Sequence, residues 1–180
     1  MFPATRLKQY LEQEKVRYQH TFHRTTLTSQ EVASEAHVSG KLIAKAVVIK
    51  VNNSFALAVL PASEQVDVPA LKAALEAKEL RLATEFEFTS LITDCDVGAM
   101  LPFGNLYGLL VYVERLLTLD EEIVFNAGTH QDSICLKYAD FARLVRPRVI
   151  GFGLEHAAKA GGVLLPRSLD FRARASSFSS

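Results

Sequence analysis

The sequence predicts an α+β fold, with a single curved, barrel-like mixed sheet surrounded by helices. Residues 41–51 and 55–60 are apolar, β-branched segments around an Asn-Asn-Ser turn, which predicts a hairpin. Residues 123–126 and 133–136 predict a second hairpin. Other segments carry apolar residues at helical spacing. Because two hairpins require antiparallel pairing and helices alternate with strands, the 180 residues predict one mixed domain.

The N-terminal elements follow from helical spacing and from a capping motif. Apolar residues spaced as on one helix face predict an amphipathic helix over residues 4–15. Residues 16–22 predict a strand. The tetrapeptide Thr-Ser-Gln-Glu at 28–31 is a capping box, which predicts a helix over about residues 29–36.

The middle of the chain predicts two further helices. Pro69 suits the first turn of a helix that carries Leu71 and, further along, Leu80. Residues 81–83 predict a short strand, and a second capping box opens a helix over about residues 84–92. The last predicted elements are a strand over 109–113 and a helix over 138–145. We expect the domain to span residues 1–154, with an irregular C-terminal extension over 155–180.

The composition excludes several classes of function. Twenty basic residues balance twenty acidic ones, so no net charge draws the protein to nucleic acid or to a membrane. Two distant cysteines and no apolar run of membrane-spanning length predict a reduced, cytoplasmic protein. Paired cysteines, H-x-x-x-H, Walker and G-x-G-x-x-G motifs are absent from the sequence, so we expect neither a metal nor a cofactor.

The segment 98–104 is unusual because it is apolar, bracketed by glycines and stiffened by a proline. A surface turn is usually polar. Glycine allows close approach of the backbone, so this loop could direct N–H groups at a bound oxygen and place apolar side chains around a ligand. Its members are Gly98, Ala99, Met100, Leu101, Pro102, Phe103 and Gly104.

Lys45 is the candidate cation. Side chains alternate between the two faces of a strand, which places Lys45 on one face with Ile43, Val47 and Ile49. Burying an ammonium there costs free energy unless it has a polar partner. The alternative is an edge-strand lysine whose stem packs while its head reaches water.

Other polar residues are weaker candidates. His23 follows the first predicted strand, where it either contacts a ligand or merely ends the strand. Asn126 and Gly128 lie at the second hairpin turn and could supply an amide and a close backbone approach. Cys95 lies between two aspartates, which disfavour its thiolate, and Cys135 suits a small core position. The sequence therefore offers groups that bind and polarise an ester but no evident nucleophile.

Three motifs taken together resemble the YbaK-like family of aminoacyl-tRNA editing domains. They are Ala-Lys-Ala-Val-Val at 44–48, the glycine loop at 98–104 and Asn-Ala-Gly-Thr-His at 126–130. The resemblance implies a mixed fold around a barrel-like sheet, no metal, and hydrolysis of the ester between a wrong amino acid and tRNA. It implies that Lys45 helps hold the terminal nucleotide and that the loop amides, at Gly98 and Ala99, hold the aminoacyl carbonyl.

The resemblance also implies the remaining site residues and partners. The attacking group would be water or part of the substrate, and the partner would be the CCA end of an aminoacyl-tRNA, with a synthetase as a further candidate partner. This sequence departs from the family pattern at Ala46, Met100, Leu101 and Cys135. The identity of the edited amino acid therefore stays open among alanine, serine, threonine and cysteine. The substrate-binding set is His23, Met100, Leu101, Pro102, Phe103, Gly104, Asn126, Gly128 and Cys135. Phe103 or His23 could stack on a base, although Phe103 is equally suited to the core.

The leading hypothesis is therefore a trans-editing deacylase. The alternatives are a module that binds aminoacyl-tRNA or a synthetase without turnover, and a hydrolase of small esters unrelated to tRNA.

Overall fold

In a computed structural model, which describes residues 3–22 and 43–155, eight strands form one mixed sheet and two more form a separate ribbon. The strands are β1 (Tyr18–Phe22), β2 (Ile43–Val51), β3 (Ser54–Pro61), β4 (Glu64–Val66), β5 (Leu80–Leu82), β6 (Leu110–Glu114), β7 (Glu122–Asn126), β8 (Asp132–Lys137), β9 (Arg148–Ile150) and β10 (Gly153–Glu155). The helices are α1 (Pro3–Gln13), α2 (Val68–Ala74), α3 (Glu85–Phe88) and α4 (Tyr138–Val145). Two 3₁₀ helices span Gly104–Tyr107 and Arg115–Leu119.

The main sheet follows the order β1-β8-β7-β2-β3-β6-β9, and β5 pairs with part of β2. The two hairpins, β2–β3 and β7–β8, are antiparallel, which confirms both hairpin predictions. The hairpins join through a parallel pair in which Ile43 lies opposite Val124 and Ala44 opposite Phe125. The fold class and the mixed sheet are therefore as the sequence predicts.

Hydrophobic clusters cover the two faces of the sheet separately. On one face, α1 and α4 contribute Leu7, Leu11 and Phe141 to the largest cluster, together with Ala44 and Val48 of β2. On the other face, Leu71 of α2 packs in a cluster with Ile49 of β2. Consecutive residues of β2 thus point alternately into the two clusters, as the period-two pattern predicts.

Two predicted helices are shorter in the structure. The helix over Pro69 and Leu71 ends at Ala74, and Leu80 begins β5 instead of continuing that helix. Glu76 takes a left-handed φ of 50°, and the Asn52 side-chain oxygen accepts hydrogen bonds from the next turn. The hairpin turn therefore captures these backbone donors. The capping box over residues 84–87 forms, but the helix stops at Phe88.

Several elements were not predicted from the sequence. The strands β4, β9 and β10 have three residues each, and the two 3₁₀ helices have four and five. Segments this short carry no periodic signal of their own. The predicted helix at 29–36 and the C-terminal extension beyond residue 155 lie outside the described residues. Within residues 3–22 and 43–155, no helix has both the length and the apolar character that crossing a bilayer requires.

Candidate functional site

Lys45 lies on the interior strand β2 and pairs with Leu60 of β3. On the other side of β2, the pairing with β7 ends at Ala44 and the pairing with β5 begins at Ile49. The Lys45 side chain is half-buried. The ammonium donates to the carbonyl of Ala62 at 3.3 Å. Burial lowers the pKa of Lys45, while the negative charge of Glu64 raises it. The lysine therefore has the polar partners that a cation on an apolar face requires.

Asn126 lies at the end of β7, on the same face of the sheet as Lys45. The parallel pairing ends with Ala44 opposite Phe125, and Lys45 and Asn126 are the next residues along the two strands. Asn126 is 4% exposed, and neither its amide oxygen nor its amide nitrogen has a hydrogen-bond partner among the described residues. A buried amide without partners is costly. Its cross-strand neighbour Ser133 is also buried, so this face carries a row of polar groups.

The glycine loop contacts the turn that follows Asn126. The N–H of Asp96 donates to the carbonyl of Gly128 at 2.8 Å, and the His130 ring contacts the carbonyl of Val97 at 2.8 Å. Gly98 has a left-handed φ of 82°, and an added Cβ would lie 3.4 Å from the His130 ring. Both the conformation and the close approach favour glycine at this position. The start of the loop is thereby fixed next to the end of β7.

The apolar side chains of the loop are core residues, which corrects their assignment as ligand-lining groups. Met100, Leu101 and Phe103 pack in the same cluster as Ala44 of β2. Phe103 is fully buried, and its ring lies 5.7 Å from that of Phe125, so it is not a stacking surface for a base. Lys45 points to the opposite face of β2.

The loop backbone is partly committed to internal contacts. The N–H of Ala99 donates to the carbonyl of Asp96 at 3.0 Å. Of the two candidate amides, Ala99 is thus already paired, whereas Gly98 is exposed. Pro102 and Gly104 are buried. An added Cβ on Gly104 would lie 2.5 Å from Val111, so the end of the loop requires glycine.

A polar network closes the loop on its outer side. The Tyr107 hydroxyl donates to Asp94 at 3.0 Å and lies 3.2 Å from the Cys95 sulfur. Arg6 of α1 reaches Asp94 at 3.5 Å and stacks over the Tyr107 ring. Burial raises the pKa of both Cys95 and Tyr107, so both groups keep their protons at neutral pH.

Cys135 lies on the same sheet face as Asn126. It pairs with Val124 across β7 and is two residues from Ser133. Burial and the neighbouring Glu122 raise the pKa of Cys135 to about 11. A protonated thiol is a poor nucleophile, which agrees with a role in shaping the site.

One sequence candidate, His23, lies outside the described residues, and one cleft is separate from this site. A cleft of about 340 Å³ opens at the far end of β2, near Lys50 and Arg81. Lys50 is five residues from Lys45, about 17 Å along a strand, so this cleft is separate from the site. Sequence reasoning missed the buried polar residues Ser133 and Glu64, because neither belongs to a recognisable motif.

Comparisons with known proteins identify the family of this domain. A model of the aminoacyl-tRNA editing domain matches residues 23–144. The chain belongs to the aminoacyl-tRNA editing domain family. It is 36% identical over 114 residues to the multifunctional Ser/Thr-tRNA deacylase ProXp-y of Escherichia coli K12, which covers 61% of this chain and 68% of that protein. The Escherichia coli O157:H7 protein of the same name gives the same values.

Solved structures share the fold of this editing domain. The hypothetical protein APE2540 superposes with a TM-score of 0.75 at 16% identity, over 82% of this chain and 99% of the other. A protein described as a candidate trans-editing enzyme for prolyl-tRNA synthetase superposes with a TM-score of 0.73 at 19% identity, over 86% and 98%. At these identities the likeness establishes the fold alone.

Proposed function

We propose that this editing domain acts in trans and hydrolyses the ester of tRNA mischarged with a small amino acid of the alanine, serine, threonine or cysteine class. Family membership and the similarity to a Ser/Thr-tRNA deacylase support the reaction. The observation that carries the site is the buried Asn126 amide, which has no hydrogen-bond partner among the described residues and lies on the same sheet face as Lys45. A ligand with a hydroxyl or amino group would satisfy this amide.

Such an activity provides a second selection step after the synthetase has chosen its amino acid. A synthetase pocket discriminates by about 1–3 kcal/mol per methylene, so it cannot reject every smaller or near-isosteric amino acid. A separate site can then hydrolyse the esters that escape. Recognition of the single-stranded CCA end relies on stacking and sugar contacts, which agrees with the zero net charge of the chain.

In the proposed reaction, Lys45 anchors the terminal adenosine and the backbone of Gly98 polarises the ester carbonyl. A hydrogen-bond donor that is already positioned for the developing oxyanion stabilises the transition state by about 3 kcal/mol. Water, or a group of the substrate, attacks the carbonyl carbon. The bond to the ribose oxygen breaks, and that oxygen takes up a proton. Both cysteines are expected to stay protonated and to take no part in the attack.

The remaining assignments belong to the same proposal. Asn126, Gly128 and Cys135 contact the aminoacyl group or its ribose, and His23 is a further candidate contact. Because charged tRNA is used in the cytoplasm, we place the protein there. Residues 1–154 form the editing domain, and 155–180 are an extension to it.

The test is a panel of aminoacyl-tRNAs that differ in one component at a time. We expect turnover of at least one mischarged species and near-complete loss of it in Lys45→Ala. Lys78→Ala, which removes an exposed lysine, is the matched control. Circular dichroism and thermal melting check that both variants fold.

Three outcomes would contradict the proposal. Binding without turnover across the panel would indicate a binding module. Turnover of free amino-acid esters without competition from tRNA would indicate a small-ester hydrolase. An unchanged rate in Lys45→Ala would remove this lysine from the mechanism.

A further inference from the structure

The N-terminal helix α1 contacts the glycine loop through polar side chains that the proposed reaction does not use. Leu7 and Leu11 of α1 are fully buried in the largest hydrophobic cluster, so the helix is anchored in the core. Arg6 and Tyr10 are four residues apart and therefore lie on one side of the helix. The Tyr10 hydroxyl accepts a hydrogen bond from the Asn105 amide at 3.0 Å. Arg6 makes the more extensive contacts.

The Arg6 guanidinium bridges the two flanks of the loop. Its Nη1 atom lies 3.5 Å from the carboxylate of Asp94, which is four residues before Gly98. Its Nη2 atom donates to the carbonyl of Leu106, which is two residues after Gly104. A guanidinium carries several donors in one rigid plane, so it can serve both acceptors at once. Arg6 thus joins the chain where it enters the loop to the chain where it leaves.

Asp94 and Tyr107 complete this bridge. The Tyr107 hydroxyl donates to the Asp94 Oδ1 atom at 3.0 Å, while Arg6 faces Oδ2 of the same carboxylate. The Arg6 guanidinium also lies 5.1 Å from the centre of the Tyr107 ring. The Asp94 side chain is 19% exposed, so solvent and salt screen this pair less than a fully exposed one. The three side chains therefore form a connected network rather than an isolated surface ion pair.

The bridged segment is also the one that contacts the candidate site. The Asp96 N–H donates to the carbonyl of Gly128, and the Val97 carbonyl contacts the His130 ring. Both contacts come directly before Gly98, whose backbone polarises the ester in the proposed reaction. Gly98 is exposed, so its position depends on what holds the residues on either side of it.

We propose that Arg6 is a positioning residue, which holds the two flanks of the glycine loop together and so fixes the backbone of Gly98 for the reaction. This inference rests on the proposed function only in the role of Gly98 as the group that polarises the ester carbonyl. Arg6 does not contact the substrate. A lysine would serve less well at this position, because an ammonium is a compact charge without the planar fork that reaches both acceptors.

The first test measures the loop directly and does not depend on activity. Amide hydrogen exchange is followed by mass spectrometry in the full chain. In Arg6→Met, peptides that cover residues 94–107 are expected to exchange about tenfold faster, the loss of one charged hydrogen bond, while peptides of β2 and β3 stay unchanged. Arg17→Met, at an exposed arginine beyond α1, is the control and is expected to change neither. Unchanged exchange over residues 94–107 in Arg6→Met would overturn the proposal.

The second test separates kcat from KM in the deacylation of tRNA. Arg6→Met is expected to lower kcat by up to about 100-fold, the cost of misplacing a reacting group by roughly 1 Å, with KM nearly unchanged. Arg6→Lys keeps the charge and is expected to recover part of kcat. Arg17→Met should match the unmodified protein, and thermal melting checks that all variants fold. A loss confined to KM would assign Arg6 to substrate binding and would overturn the proposal.

A double-mutant cycle connects the arginine to its acidic partner. Asp94→Asn keeps the shape of the side chain and removes its charge. If Arg6 acts through Asp94, the double variant should lose little more kcat than the more affected single variant. Fully additive losses would mean that the two residues act separately, which would overturn the proposal.

The outcomes separate this inference from the proposed function. Faster exchange of residues 94–107 in Arg6→Met, with no deacylation by any form of the protein, would support the bridge and contradict the reaction. Faster exchange with an unchanged kcat would show that the bridge does not fix the reacting backbone. That result would overturn the inference and leave the reaction standing.

Discussion

The two faces of β2 differ in how their buried groups are satisfied. On one face, Ala44 and Val48 pack against Phe103 of the glycine loop in an apolar cluster. The other face carries Lys45 and Asn126, and the Asn126 amide has no hydrogen-bond partner among the described residues. A protein core gains stability from apolar contacts and loses it from unpaired polar groups. Both faces carry apolar clusters that maintain the fold, and the proposed function uses the polar part of the second face around Lys45.

The largest effect on stability is expected from Phe103→Ala. The Phe103 ring is fully buried and lies 5.5 Å from Phe141 and 5.7 Å from Phe125. Removing it leaves a cavity and should lower the free energy of unfolding by about 3–5 kcal/mol. Urea denaturation followed by circular dichroism measures this loss. A change below about 1 kcal/mol would mean that the loop does not belong to the core.

Asn126→Ala, in contrast to Phe103→Ala, is expected to lower the activity and to leave the stability nearly unchanged. Its amide makes no described hydrogen bond, so its removal should change the free energy of unfolding by less than about 1 kcal/mol or raise it. Loss of a buried polar contact to the substrate should lower kcat/KM by roughly 10–100-fold. Denaturation and deacylation assays on the same preparation measure both. A marked loss of stability with unchanged kcat/KM would abolish the distinction between the two faces.

The smallest effect on stability is expected at the end of β2 that carries Lys50. The Lys50 Nζ atom lies 3.5 Å from the Glu87 Oε1 atom. The Glu87 carboxylate also forms a bidentate ion pair with the Arg81 guanidinium. The Arg81 guanidinium holds the pKa of Glu87 far below its ordinary value. Because the folded pKa is depressed, this pairing stabilises the fold above the ordinary carboxyl pKa and is lost as the pH falls through the folded value. Solvent and salt screen such exposed pairs.

Glu87→Gln should therefore destabilise the protein slightly at neutral pH and progressively less in acid. Thermal melting of both forms between pH 7 and pH 3 measures this difference. Added salt is expected to reduce it. A difference that grows in acid would contradict the ion-pair explanation.

Local sequence patterns were sufficient for much of the fold. Both hairpins, α1 and α4 follow from turn residues and periodicity, and α4 spans the predicted residues 138–145. The helix after Pro69 was predicted too long because its end depends on Asn52, a residue in another element. Contacts of that range leave no local pattern.

The candidate site was predictable in part. Their motifs singled out Lys45 and Asn126 as candidates, and the alternation of side chains along the strand placed Lys45 on the face that the structure shows. The position of Phe103 did not follow, because an apolar residue in a glycine loop suits either a ligand pocket or a core. Only packing against Phe125 and Phe141 distinguished the two.

The sequence alone determined the α+β class, the two hairpins, the family motifs and the absence of a recognisable nucleophile. These properties depend on residue type and near-neighbour spacing, which the chain carries directly. The tertiary structure decided that Lys45 and the apolar side chains of the loop occupy opposite faces. It also brought Arg6, Asp94 and Leu106 together. Such arrangements depend on strand order and on distant close approaches, and both arise only when the whole sheet has assembled.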